Sequence, residues 1–257
     1  MTDPTPFGVT GKLALVTGSS RGLGLTLATG LARAGARVVL HGRDPEALAT
    51  AQGEIAAVTG ETPAVVRFDV ADADAVADGI GALVAEHGVP DVLVNNAGIQ
   101  RRAPFTDFTV ADWDAIITNN LSSAFYVSRA LAPGMVERRS GKIVNIGSVQ
   151  SVLARETIAP YGASKGGLVQ LTRGMAADLA RYDVQVNAIS PGYFATDMNA
   201  ALVADTEFAA WLEKRTPARR WGRPEELVGT LLYLASSASD FVSGQNIVVD
   251  GGLTATV

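Results

Sequence analysis

A tyrosine and a lysine four residues apart are the side chains of this sequence best suited to acid and base chemistry. Tyr161 and Lys165 stand in the run Tyr-Gly-Ala-Ser-Lys, at the start of an apolar helical segment. The i, i+4 spacing places the phenol and the ammonium on one helix face. A free tyrosine ionises near pH 10, so proton transfer near pH 7 requires its pKa to fall by about 3 units, and a neighbouring ammonium acts in that direction. The alternative is an exposed pair that adds only a few tenths of a kcal/mol to helix stability.

A glycine-rich loop follows the first apolar run and leads directly into a helical pattern. Residues 17–24 read Thr-Gly-Ser-Ser-Arg-Gly-Leu-Gly. Glycines at this spacing permit a tight turn and a close approach of the backbone to a pyrophosphate, which the free amides of the helix N-terminus face. Glycine is frequent in this chain, so chance spacing is the alternative. The strand-loop-helix context favours a dinucleotide site.

Further polar residues fall just after other predicted strands. Ser148 follows the fifth strand, where a hydroxyl can hydrogen-bond a substrate oxygen, and Asn95-Asn96-Ala97-Gly98 ends the fourth. Each motif alone is typical of a polar loop or turn. Doubly wound sheets bind ligands at the carboxyl ends of their strands, so the joint placement predicts one site at that edge.

The end of the second predicted strand bears on the choice of dinucleotide. An acidic residue there usually indicates NAD, because it accepts a hydrogen bond from the ribose 2′-hydroxyl. This chain instead reads His-Gly-Arg at residues 41–43. Arg43, together with Arg21 of the glycine loop, is suited to a 2′-phosphate, although either arginine is otherwise a solvated surface charge and Asp44 argues the other way. We predict NADP(H), with NAD(H) as the alternative.

Seven short apolar runs, alternating with helical patterns, must position these residues. The runs are largely continuous, which is typical of parallel strands covered on both faces. The sequence therefore predicts an α/β fold in a single domain over residues 1–257, a Rossmann-like doubly wound seven-stranded parallel sheet with helices on both faces. The predicted strands are Leu13–Thr17, Val38–His41, Ala64–Asp69, Val92–Asn95, Lys142–Ile146, Val184–Ile189 and Ile247–Val249, and the clearest helices are Leu23–Ala34, Pro45–Val58, Ala73–Glu86 and Pro224–Ala235.

Two segments depart from this alternation. Val110–Arg138 is a long helical stretch, in which Pro133 predicts a kink. Residues 192–217 are too long for an ordinary connection and carry apolar residues, Met198 among them, at roughly helical spacing. We predict that this segment is a lid with short helices, and the alternative is a surface excursion packed on the core.

Composition excludes several classes of protein. The 257 residues contain no cysteine, so there is neither a disulfide scaffold nor a thiolate metal site, and no metal site is predicted. With 26 Asp and Glu against 21 Lys and Arg, the chain lacks the electrostatic footprint of a nucleic-acid-binding protein. Neither a signal peptide nor a run of about 18 apolar residues is apparent. We expect a cytoplasmic protein without nucleic-acid or membrane partners.

Taken together, these motifs resemble the short-chain dehydrogenase/reductase family over essentially the whole chain, from Leu13 to Gly252. The resemblance implies a catalytic tetrad of Asn120, Ser148, Tyr161 and Lys165. It places Asp69 near adenine and the segment after the sixth strand beside the nicotinamide carboxamide. With the arginines above, the predicted cofactor-binding residues are Gly18, Ser20, Arg21, Gly22, Leu23, Gly24, Arg43, Asp69, Val70, Asn96, Ala97, Gly98, Tyr161, Lys165, Pro191, Gly192 and Thr196.

The family resemblance also implies a mechanism and an assembly. Hydride would pass between nicotinamide C4 and a carbinol carbon, while Tyr161 exchanges the hydroxyl proton. Ser148 would hold the substrate oxygen, Lys165 would contact the nicotinamide ribose and stabilise tyrosinate, and Asn120 would position a water for proton relay. The resemblance implies a homotetramer in which Val110–Arg138 and the Tyr161 helix pair between subunits.

Within the family, residues 95–104, 148–151, 158–161, 191–196 and 216–222 resemble gluconate 5-dehydrogenases, which interconvert D-gluconate and 5-keto-D-gluconate. A sugar acid needs a cation for its carboxylate and hydrogen-bonding groups for its hydroxyls. Arg101 or Arg102 is the predicted carboxylate anchor, and the alternative is that both face solvent. The predicted substrate contacts are Arg101, Arg102, Ser148, Gln150, Tyr161 and Tyr193.

Other functions remain open at this stage. A 3-oxoacyl-carrier-protein reductase would share the fold, the tetrad and the preference for NADP(H), and it would need a basic patch such as Arg101, Arg102, Arg138 and Arg139. Another polyol or keto-acid reductase of the same family is equally compatible with these motifs. A non-catalytic dinucleotide-sensing protein would use the fold only for binding, but the complete tetrad argues against it.

Overall fold

Within residues 5–196 and 199–256, which the computed structural model describes, seven parallel strands form one sheet. The strand order is β3-β2-β1-β4-β5-β6-β7, so the chain starts in the middle and winds to each edge in turn. The predicted doubly wound fold is confirmed, and the predicted strand ends differ from the observed ones by at most two residues. The strands are β1 (Leu13–Val16), β2 (Arg37–Gly42), β3 (Ala64–Arg67), β4 (Val92–Asn95), β5 (Gly141–Ile146), β6 (Val184–Pro191) and β7 (Asn246–Val249).

Helices connect successive strands, and local sequence fixes several of their ends. Asp44 begins the second helix, because its carboxylate accepts hydrogen bonds from the amides of Glu46 and Ala47, and Pro45 is already held at a helical φ. Gly60 ends that helix at a φ of 78°. The helices of the described residues are α1 (Gly22–Arg33), α2 (Pro45–Thr59), α3 (Ala73–His87), α4 (Val110–Ile117), α5 (Ser123–Arg138), α6 (Ala159–Leu179), α7 (Ala200–Ala204), α8 (Thr206–Arg215) and α9 (Val228–Ala235).

The sheet separates two hydrophobic cores. Ala14 and Val16 of β1 pack in one core with residues of α1, α2 and α9, whereas Leu13 and Leu15 pack in the other with residues of α3, α5 and α6. Alternate side chains of a strand point to opposite faces, so a strand covered on both faces is apolar at every position. This burial explains the continuous apolar runs of the sequence.

The two exceptional segments contain the irregular helices. Residues 118–122 form a π-helical turn between α4 and α5, while Pro133 lies inside α5. Short helices α7 and α8 lie in the segment 192–217, as predicted, and its Asp197 and Met198 lie outside the described residues. A parallel bridge joins Phe194 to Gly222, which fixes the start of the segment against the chain that follows it.

Among the described residues, no helix combines the length and the apolarity that crossing a membrane requires. In the same residues, no group of three or more His, Cys, Asp or Glu side chains is arranged to hold a metal ion.

Candidate active site

A cavity of about 710 Å³ opens at the carboxyl edge of the sheet. Loops that follow β1, β2, β4, β5 and β6 contribute its walls, as expected for a ligand site in a doubly wound sheet. The cavity brings together every residue predicted to bind the cofactor, and three of the four predicted catalytic residues. The catalytic residues in its lining are Ser148, Tyr161 and Lys165, and the remaining predicted residues are Gly18, Ser20, Arg21, Gly22, Leu23, Gly24, Arg43, Asp69, Val70, Asn96, Ala97, Gly98, Pro191, Gly192 and Thr196.

The glycine loop has no room for side chains. A Cβ atom at Gly24 would lie 2.2 Å from the carbonyl oxygen of Gly18, and one at Gly18 would lie 2.9 Å from the Cα of Ala97. Gly18 also has a φ of 62°, which favours glycine. At the start of α1, Arg21 makes no side-chain capping hydrogen bond, so the first amides of this 12-residue helix face the cavity uncapped. These features fit a dinucleotide phosphate.

A buried histidine that the sequence reasoning missed supports this loop. The Nδ1 of His41 accepts a hydrogen bond from the amide of Gly18 at 3.0 Å, and its Nε2 donates to the carbonyl oxygen of Phe68 at 3.1 Å. Burial lowers the pKa of His41 to about 4, so the ring is neutral at pH 7 and its tautomer is fixed by these partners. The only sequence signal was its place at the end of β2, next to the loop after β1.

Asn96 connects the glycine loop to β4. Its Nδ2 donates to the carbonyl oxygens of Thr17 and Gly18, at 3.0 and 3.1 Å. The hydroxyl of Thr17 accepts in return from the amides of Asn96 and Ala97. These reciprocal bonds hold the turns after two neighbouring strands in a fixed relation at the edge of the cavity.

The two carboxylates near the end of β2 are both engaged in local contacts. The carboxylate of Asp44 is occupied by the amides at the start of α2. Arg43 donates to Asp69 at 3.0 Å, and its side chain is 70% exposed. The hydrogen bond from the Ala71 amide and then the Arg43 guanidinium keep the pKa of Asp69 below its usual value. Arg21 lines the same cavity, and no ion pair of Arg21 occurs among the described residues.

Tyr161, Lys165 and Ser148 meet in the cavity wall. The ammonium of Lys165 is 5.7 Å from the centre of the Tyr161 ring and donates to the carbonyl oxygen of Ile146 at 2.6 Å. Burial lowers the pKa of Lys165 to about 8. Burial also raises the pKa of Tyr161, although hydrogen bonding with Ser148 and the charge of Arg102 lower it. The pKa of Tyr161 is therefore raised overall, whereas the sequence predicted that it is lowered. The reason is that the low dielectric of a buried site disfavours the charged phenolate.

Asn120 lies behind the cavity, in the π-helical turn. Its Oδ1 accepts from the amide of Ile99 at 2.7 Å, and its Nδ2 donates to the Ile99 carbonyl oxygen and to the hydroxyl of Ser164. The side chain is 1% exposed and does not line the cavity, whereas Asn119 does. The contacts of Asn120 hold the chain after β4 against α6, and its predicted role in a water relay stays a prediction.

The predicted substrate residues separate into two groups. The guanidinium of Arg101 forms an ion pair with Asp112 in the capping box of α4, so it is held away from the cavity. Arg102 instead lies within electrostatic reach of Tyr161 and Tyr193. The side-chain oxygen of Gln150 is buried, and it has no hydrogen-bond partner among the residues that the structure describes. The cavity lining includes none of Arg101, Arg102, Gln150 and Tyr193, and the coupling to Tyr161 is what distinguishes Arg102 from Arg101.

Comparison with known proteins gives matches along the whole chain. A family profile described as "Enoyl-(Acyl carrier protein) reductase" matches residues 18–254. A "Gluconate 5-dehydrogenase" of Gluconobacter oxydans (strain 621H) is 54% identical over 257 residues, with 100% of both chains covered. A "5-keto-D-gluconate 5-reductase" of Escherichia coli (strain K12) is 47% identical over 98% of both chains.

A solved structure supports the same relationship. It is described as a gluconate 5-dehydrogenase from Burkholderia cenocepacia J2315 in complex with NADP and tartrate. Its sequence is 52% identical, its TM-score with this chain is 0.95, and 98% of each chain is covered. A likeness of this extent in both sequence and structure identifies a common family. The chain belongs to the short-chain dehydrogenase/reductase family of oxidoreductases.

Proposed function

We propose that this protein interconverts D-gluconate and 5-keto-D-gluconate with NADP(H), by hydride transfer coupled to proton exchange at Tyr161. The observation that carries the proposal is the single cavity in which an uncapped glycine loop faces the same space as Tyr161, Ser148 and Lys165. The relatives from Gluconobacter oxydans and Escherichia coli are named for gluconate and 5-keto-D-gluconate, which supports the proposed substrate. The solved relative from Burkholderia cenocepacia contains NADP, which supports the proposed cofactor.

The chain's own residues account for the proton and the orientation of the substrate. Bound NADP(H) supplies the hydride acceptor or donor, and in its oxidised form a positive charge. The phenolic oxygen of Tyr161 takes the hydroxyl proton during oxidation and returns it during reduction. Ser148 holds the reacting oxygen through its hydroxyl, and the ammonium of Lys165 stabilises the phenolate. The unpartnered oxygen of Gln150 is suited to accept a hydrogen bond from a substrate hydroxyl.

The alternative of a 3-oxoacyl-carrier-protein reductase requires a basic surface that these arginines do not form together. Arg101 is paired with Asp112. Arg138, at the end of α5, donates to the carbonyl oxygens of Val89 and Pro90, near the amino ends of β4 and β5. That edge of the sheet is opposite the cavity, so the four arginines do not form one docking surface beside it.

A substrate panel tests the proposed function. D-gluconate, 5-keto-D-gluconate, neutral polyols, a 3-oxoacyl thioester and an enoyl thioester would be assayed by nicotinamide absorbance with NADP(H) and with NAD(H). We expect the highest kcat/KM for the gluconate pair with NADP(H). Higher efficiency with a thioester would contradict the proposed substrate, and equal or higher efficiency with NAD(H) would contradict the proposed cofactor.

Arg43→Ala is expected to raise the KM for NADPH by about 10- to 100-fold and to leave that for NADH nearly unchanged. The lost interaction is a charge-assisted hydrogen bond to the 2′-phosphate, worth about 1.5–3 kcal/mol. Steady-state kinetics with both cofactors measures the change. Arg33→Ala, at the exposed end of α1, is the control, since it removes an arginine outside the cavity lining. An equal loss with both cofactors would show that Arg43 does not read the phosphate.

We further propose that the protein acts in the cytoplasm and assembles as a homotetramer. We also propose that residues 192–217 form its substrate lid. Exposed Val110, Trp113 and Phe125 on α4 and α5 support burial of these helices between subunits. Thr196 and Asn199 in the cavity lining support a lid. Light scattering of the purified protein would measure the mass of the assembly.

A further inference from the structure

The loops after β4 and β5 each carry an arginine just outside the cavity lining, Arg102 and Arg155. Arg102 follows β4 and donates to Gln100, at 3.2 Å. Arg155 lies in the loop between β5 and α6 and is half-buried. Among residues 5–196 and 199–256, neither arginine has an ion-pair partner, whereas Arg101, immediately before Arg102, is paired with Asp112. Two unneutralised cations in neighbouring loops point to an anionic ligand.

A backbone contact holds these two loops together. The amide of Ala103 donates to the carbonyl oxygen of Thr157 at 3.1 Å, so the residues that follow each arginine are in direct contact. Thr157 has a φ of 69°, a left-handed conformation that is strained for a β-branched residue. Strain of this kind persists where surrounding contacts fix the backbone, and it occurs often at ligand sites. The relative position of the two loops is therefore set by the fold.

Arg155 also touches the predicted lid. Its guanidinium carbon lies 4.5 Å from the centre of the Phe208 ring in α8. Phe208 packs against Tyr193 at 5.5 Å, Trp211 at 5.3 Å and Trp221 at 6.2 Å between ring centres. Phe208, itself in contact with these three rings, covers one face of the guanidinium and leaves its N–H edge available. Arginine stacked in this way retains its planar donors for a carboxylate.

The charges of the two arginines act on one another and on the reacting tyrosine. Burial and then the charge of Arg155 lower the pKa of Arg102, while Tyr193 and Tyr161 act in the opposite direction. The two guanidiniums therefore repel each other close to the phenol. A carboxylate between them would remove this repulsion and accept hydrogen bonds from both.

We propose that Arg155 and Arg102 together form the carboxylate subsite, with Arg155 as the residue that distinguishes a sugar acid from the corresponding neutral polyol. This inference rests on the proposed function, since it places the acid group of the same substrate.

The test compares Arg155→Ala and Arg155→Lys with the wild-type enzyme, each saturated with NADPH, which cannot accept a hydride from gluconate or sorbitol. Calorimetry would measure Kd for D-gluconate, tartrate and D-sorbitol, the last being gluconate with its carboxylate replaced by a hydroxymethyl group. We expect Arg155→Ala to weaken gluconate and tartrate binding by about 10- to 100-fold and sorbitol binding by less than about 2-fold. Lysine should restore only part of the loss, because it cannot bind a carboxylate through two parallel donors.

Arg37→Ala is the matched control, because this exposed arginine begins β2 at the opposite edge of the sheet. Equal Kd values for gluconate in Arg155→Ala and wild type, with unchanged thermal unfolding, would overturn the subsite. Uniform weakening of acids and sorbitol would overturn its specificity for the carboxylate. Because binding is measured without turnover, a wild-type enzyme that binds both acids but oxidises neither would contradict the proposed function alone.

Discussion

Tyr161→Phe is expected to lower kcat for gluconate oxidation by about 10²- to 10⁴-fold, the range usual for loss of a general acid or base. The substitution removes one hydroxyl from the cavity lining and keeps the aromatic ring on α6. Binding of NADP should therefore change by less than about 2-fold, and thermal unfolding should be nearly unchanged. Steady-state kinetics and a nucleotide titration measure the two effects separately.

The pH dependence of the wild-type enzyme follows from the same residue. In the proposed mechanism oxidation needs the phenolate of Tyr161 as base, so its rate should rise with pH, while reduction needs the phenol and should fall at alkaline pH. Burial raises the pKa of Tyr161 and lowers that of Lys165 to about 8, so in the protein alone the ammonium loses its charge before the phenol ionises. In the proposed mechanism the positive charge of oxidised NADP would lower the pKa of the phenol. The oxidation limb should shift to higher pH in Lys165→Ala.

Tyr182→Phe is the matched control for this prediction. Tyr182 lies in the turn before β6, at the amino edge of the sheet, and its ring contacts Arg181. Loss of its hydroxyl should leave kcat and the pH profile unchanged. Turnover by Tyr161→Phe at more than about a tenth of the wild-type rate would remove Tyr161 from the proposed chemistry.

Gly24→Ala is expected to weaken NADP(H) binding by at least about 10-fold and to reduce stability. The added Cβ would lie 2.2 Å from the Gly18 carbonyl oxygen and 2.5 Å from Nδ2 of Asn96, so the loop and α1 must move apart. Forcing a methyl group into such a site typically costs about 1–3 kcal/mol, which lowers Tm by several degrees in a chain of this size. Calorimetric titration and thermal unfolding measure both changes.

Gly53→Ala provides the matched control within α2. No atom lies within 4 Å of the Cβ that this substitution would add. Alanine in an open helix interior is favoured over glycine by about 0.5–1 kcal/mol, so Tm should stay the same or rise, with unchanged NADP(H) binding. If Gly24→Ala behaved like Gly53→Ala, close packing of the glycine loop would not be what shapes the nucleotide site.

Local patterns in the sequence predicted the elements of the fold because each pattern has a local physical cause. The apolar runs gave all seven strands, since burial on both faces leaves every position of a strand apolar. In the same way, the helical pattern predicted from Pro45 matches the observed start of α2, which the structure shows to be capped by Asp44. The irregular turn at residues 118–122 was not predicted, because Pro133 was the visible helix breaker and the π-helical turn has no comparable signal.

By itself the sequence determined the α/β fold, the glycine loop and the residue types that can transfer a proton. Only the tertiary structure distinguished the neighbouring Arg101 and Arg102, since Arg101 pairs with Asp112 whereas Arg102 is electrostatically coupled to Tyr161. It also revealed His41 beneath the loop and Arg155 beside Phe208. Contacts of this kind join residues far apart in the chain, and they depend on where the sheet and helices bring side chains together rather than on local spacing.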